Sequence, residues 1–114
     1  MDWREKLKTT VDEYIEERDR ITKALQEVLL ELKAEPYGIH SNSELIGLSP
    51  LEWKVTISFI NVGRVIITIH PDDIKVLTLI DDSSFPISVE VFPEDIHQIL
   101  REVILRKIAD QLSI

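Results

Sequence analysis

Residues 11–32 read VDEYIEERDRITKALQEVLLEL. Apolar side chains recur at Val11, Tyr14, Ile21, Leu25, Val28 and Leu32, in steps of three and four residues, and Arg18 fills the one slot left over. This is the spacing of one helix face, sustained as a heptad pattern for three repeats. Upstream there is no Gly or Pro, and downstream none before Pro36. The composition between them, rich in Glu, Lys, Arg and Leu, favours helix. Asp2 is placed to cap the start, and pairs such as Glu16–Arg20 and Asp19–Lys23 are spaced to support the exposed side. Residues 1–34 are therefore expected to be one long amphipathic helix, from about Asp2 to Lys33. At 1.5 Å per residue it would be roughly 45 Å long. A compact domain of this size has a radius of gyration of ~13 Å, hence a diameter of about 35 Å. Unless it bends, such a helix overhangs its own globule.

The two halves of that helix differ. From Ile21 to Leu32 the stripe widens with Leu29 and Leu30, which suits packing on a sheet. The first half is narrower, with Leu7, Val11, Tyr14 and Ile15, as in a helix that meets a partner along a thin line. Arg18 at the join would be costly if buried alone, so an ion-pair partner (Glu17 or an acidic residue of another chain) or a rim position is expected. Trp3, if exposed at the start, would be a contact residue.

Residues 35–50, EPYGIHSNSELIGLSP, carry Pro, Gly, Ser and Asn with little periodicity and read as a linker loop, with room for a short strand around Glu44–Leu48. LEWKVTISFI, from Leu51, alternates: Trp53, Val55, Ile57 and Phe59 to one side, Lys54, Thr56 and Ser58 to the other. NVG at 61–63 is a hairpin turn, and RVIITIH returns with Val65, Ile67 and Ile69 inward. A third strand over 74–80 and a fourth over 85–92, the last with Ile87, Val89 and Val91 inward, complete a sheet over 51–92. Pro93 suits the first turn of a final helix over 93–114, with Glu94 and Asp95 favouring its dipole. Its stripe is Ile96, Ile99, Leu100, Val103, Ile104, Ile108 and Leu112. The expected fold is a single two-layer α+β domain, α-β-β-β-β-α, with a four-stranded antiparallel meander and both helices on one sheet face.

The chain has 114 residues and no cysteine, which excludes disulfide frameworks and thiol chemistry. Net charge is −8, spread along the chain. Clustered Lys and Arg are lacking, so nucleic acid is not an expected partner. No apolar run approaches the ~20 residues of a membrane span. MDWREKLK has no apolar core of the kind a secretory signal carries, and a cytoplasmic location is expected.

Catalytic constellations do not stand out. His40, His70 and His97 lie in no metal-ligand spacing. His70 opens HPDD, where an acid–base site with Asp72 or Asp73 competes with a plain strand exit and turn. Asp73 and Asp81 would be some 27 Å apart along a strand and cannot share a site. The glycines, Gly38, Gly47 and Gly63, build no phosphate loop. No cofactor or metal is expected.

In order of elements the chain resembles small helix–sheet–helix adaptor domains and acidic secretion chaperones, a likeness of topology alone. The leading expectation is a non-enzymatic protein-interaction module, a small acidic adaptor or chaperone-like subunit. It would bind a second copy of itself or another protein through Trp3, Leu7, Val11, Tyr14 and Arg18. Two alternatives come from other classes: an acidic mimic that inhibits a nucleic-acid-binding enzyme, and a small enzyme with a site near His70.

Overall fold

In the computed structural model the described residues are 2–74, 76–82, 85–91 and 95–113, with backbone alone described for 76–82 and 85–91. The architecture is α+β: a long N-terminal helix, a three-stranded antiparallel sheet and a C-terminal helix.

Helix α1 runs without interruption over Trp3–Lys33, 31 residues, or about 46 Å. Asp2 caps it as the sequence suggests, its side chain accepting from the Arg4 N–H at 3.1 Å. The Cα radius of gyration is 17.2 Å and the longest dimension 56 Å, well beyond the compact value.

The segment read as a linker loop holds a full strand, β1, over His40–Leu48. It pairs with β2, Leu51–Phe59, and β2 pairs with β3, Gly63–Ile69, all antiparallel. The sequence suggests only a short strand around Glu44–Leu48, because the inward positions Ser41 and Ser43, half-buried opposite Ile57 and Val55, are polar. Its register shifts between Leu45 and Gly47, a bulge that leaves Ile46 exposed and sets Gly47 opposite Glu52. A side chain at 47 would be crowded, because a Cβ there would stand 3.0 Å from the Pro50 carbonyl oxygen and 3.1 Å from the Glu52 Cβ.

A short helix, α2, spans Pro71–Ile74, where the third strand of the expected meander was to begin. The strands β4, Val76–Asp82, and β5, Phe85–Val91, pair with each other in a two-stranded ladder separate from β1–β2–β3. The expected continuous four-stranded sheet is thus replaced by a three-stranded one that recruits β1. The inward roles expected for Ile87, Val89 and Val91 concern side chains outside the described residues, as do Pro93 and Glu94. Helix α3 starts later than expected, at Ile96, and runs to Leu112 with Asp95 as its cap, accepting from the Gln98 N–H at 3.1 Å.

The core lies between the sheet and the two long helices. Ile21, Leu25, Val28 and Leu29 of α1 meet Trp53, Val55 and Ile57 of β2, Val65, Ile67 and Ile69 of β3, and Ile96, Leu100, Val103 and Ile104 of α3. Each such side chain contributes about 1.5–3 kcal/mol by leaving water. Trp53 is buried, and its indole N–H donates to Thr22 Oγ1 at 3.0 Å; that hydroxyl donates in turn to the Arg18 carbonyl at 2.8 Å. A buried tryptophan with a satisfied N–H fixes the sheet's depth against α1. The helices α1 and α3 run in the same direction, with His97 3.6 Å from Glu27 and Arg101 2.9 Å from Glu31.

Candidate functional site

The helix–sheet contact stops part-way along α1. Tyr14 marks the boundary: its hydroxyl donates to the Leu48 carbonyl, at the turn that joins β1 to β2. Residues 3–13 lie beyond that turn, an overhang of about 16 Å. Along it Trp3 is 70% exposed, Leu7 54% and Val11 45%, with Ile15 also exposed. Four apolar side chains at successive steps of four residues face solvent on an otherwise charged helix.

All five residues expected to bind a partner fall on this part of α1, but in two groups. Trp3, Leu7 and Val11 are exposed on the overhang, while Tyr14 and Arg18 are half-buried where it joins the body. Arg18 is answered by Asp19, not by Glu17: its guanidinium stands 3.0 Å from the Asp19 carboxylate. With its side chain 33% exposed, it sits at the rim. Its carbonyl also anchors Thr22, so Arg18 closes the body of the fold.

Beside the overhang is a hollow of about 300 Å³ lined by Glu13, Glu16, Glu17, Arg20, Ile21 and Ile96. Its walls are three carboxylates and the Arg20 guanidinium, and beneath them lie the buried Ile21, from α1, and Ile96, the first residue of α3. Sequence reasoning missed this hollow, because nothing local to α1 reveals that Ile96 comes to rest there.

No known protein family, curated protein or solved structure matches this chain. The site must therefore be read from its own geometry.

A second, larger hollow of about 470 Å³ lies at the opposite end of α1, between Leu32, Phe59, Ile104, Leu105, Ile108 and Leu112. Leu105 is 72% exposed there. Beside it Arg101 forks onto Glu31, with Nε at 3.0 Å and Nη2 at 2.9 Å. This pairing holds the Glu31 carboxyl below the usual glutamate range and raises the Arg101 guanidinium above its ordinary value.

Around His70 the structure brings together Glu52, Asp73 and Lys107. The His70 backbone N–H donates to Asp73 Oδ2 at 2.9 Å, and Lys107 Nζ stands 3.1 Å from the same oxygen. The His70 ring lies 3.5 Å from Glu52 and 3.8 Å from Asp73. Asp73 thus serves as a clamp joining the exit of β3 to α3, a structural use of the carboxylate. Glu52 and Lys107, distant in sequence, were not foreseeable partners. Among the described residues no group of three or more His, Asp or Glu is placed to hold a metal ion. Nor, among them, is any helix long and apolar enough to cross a membrane.

Proposed function

We propose that the protein is a non-enzymatic interaction module, a small acidic adaptor or chaperone-like subunit that works as a homodimer through the overhanging half of α1. One observation carries this reading: Trp3, Leu7, Val11 and Ile15 form an apolar line on a helix that has already left its own sheet. Scattered exposed apolar residues need no explanation, but a contiguous line with a tryptophan is the composition of contact surfaces. The cost of leaving such a line in water is recovered when a second helix covers it.

The test is sedimentation velocity on the full chain across micromolar concentrations. The expected result is a concentration-dependent dimer that Leu7→Glu combined with Val11→Glu converts to monomer. Both positions are exposed, so helicity and Tm should hold. A strictly monomeric parent protein, or a dimer indifferent to these two changes, would overturn the reading.

A further inference from the structure

The charges along the overhang are not evenly mixed. Residues 4–8 contain Arg4, Lys6 and Lys8 against Glu5 alone, whereas residues 12–17 contain Asp12, Glu13, Glu16 and Glu17 and no base. Asp2 already holds Arg4 at 2.7 Å, and of the cations in residues 4–8 this leaves Lys6 and Lys8 for a partner. A parallel pairing of two such helices would set acid on acid and base on base. An antiparallel pairing sets the basic turn of each copy on the acidic turn of the other.

Geometry narrows this further. Trp3, Lys6, Thr10, Glu13 and Glu17 follow steps of three, four, three and four residues, so they share one flank of α1. Thr10 is the midpoint: Trp3 lies seven residues before it and Glu17 seven after. That flank leads directly into the hollow lined by Glu13, Glu17, Ile21 and Ile96.

Building on the interaction reading above, we infer that two copies pair antiparallel along the line of Trp3, Leu7, Val11 and Ile15 about an axis near Thr10, so that Trp3 of each copy lies level with Glu17 of the other. Lys6 of each copy then faces Glu13 of its mate. Each copy contributes the same apolar line and both a basic and an acidic turn, so the interface closes on itself as a two-fold dimer and does not propagate.

The chain has no cysteine, which makes single-cysteine crosslinking unambiguous. Thr10→Cys and Glu17→Cys variants of the full chain are treated with a short bis-maleimide, after sedimentation velocity has established the oligomeric state of each. In the antiparallel arrangement the two residues 10 lie side by side, and the two residues 17 are separated by about 21 Å along the helix axis. The expected result is efficient crosslinking at 10 and little at 17. Equal crosslinking at both positions in a dimeric protein indicates a parallel pair; it overturns this inference and leaves the interaction reading standing. No dimer and no crosslink at either position overturns both. A charge exchange gives an independent check: Lys6→Glu weakens association severalfold, and adding Glu13→Lys restores it. A double variant that binds more weakly than Lys6→Glu alone would overturn the antiparallel pairing.

Discussion

The two halves of α1 belong to one uninterrupted helix and each carries an apolar stripe, yet their surroundings are opposite. Ile21, Leu25, Val28 and Leu29 are buried beneath a sheet; Trp3, Leu7, Val11 and Ile15 stand in water. The helix itself does not change at the boundary. What changes is the supply of partners: β1 ends at Leu48, its carbonyl taken by Tyr14, and α3 begins only at Ile96, level with Ile21. Heptad spacing therefore states that a face will be covered, and the lengths of the neighbouring elements decide by whom.

The largest effect that separates the halves is the energetic weight of one leucine. Leu25 is fully buried, whereas Leu7 is 54% exposed. Leu25→Ala should cost about 2–5 kcal/mol of unfolding free energy. Leu7→Ala, measured by urea denaturation at a concentration low enough to keep the chain monomeric, should lie within about 0.5 kcal/mol of the parent. Comparable losses from both would erase the distinction, because they would mean that the overhang is packed within its own chain.

Much of this was legible in the sequence, and the failures have identifiable causes. The long helix, its cap at Asp2, the strands around Trp53 and Ile67 and the stripe of α3 all follow from periodicity strong enough to survive tertiary context. β1 was legible only as a short strand around Glu44–Leu48, because its inner face opens with Ser41 and Ser43, and polar inward residues show no apolar alternation. The break after β3 was missed because the apolar run at 74–80 reads as a strand whichever partner it takes. Of the site, the exposed line was readable as the narrow half of the stripe. The hollow was not, since it depends on residues seventy-five apart in sequence, Ile21 and Ile96, meeting at one place. The Arg18–Asp19 pair was missed for a smaller reason: neighbours in sequence do not share a helix face, and only long side chains bending along the surface bring them together.

The boundary itself can be probed at Thr22. Its hydroxyl accepts from the buried Trp53 N–H and donates to the Arg18 carbonyl, so it ties the last buried layer of the sheet to the place where the overhang begins. Thr22→Val keeps the shape and removes the acceptor, stranding an indole N–H. The expected cost is about 1–3 kcal/mol. Thr22→Ser should recover most of it. If valine and serine variants were equally stable, the hydrogen bond would not be what seats Trp53, and shape alone would hold the boundary.

The smallest effect concerns the far end of the covered half, where α1 and α3 are tied by Glu31 and Arg101 across the surface. The guanidinium fork lowers the Glu31 carboxyl in the folded state relative to the unfolded chain, where no such partner is held nearby. A depressed folded value means that the folded protein keeps its proton off more readily than the unfolded one. The pair's contribution is therefore fully present above the ordinary glutamate range and fades as pH falls through the folded value. Arg101→Gln should consequently lower stability modestly at neutral pH, with the gap to the parent closing in acid. Denaturant titrations of both proteins at neutral pH and again below the carboxylate range measure that gap directly. Because the pair is solvent-exposed, salt should narrow the gap at neutral pH as well, and a gap that persisted unchanged in acid and in high salt would assign the role of Arg101 to the packing of its aliphatic stem and not to its charge.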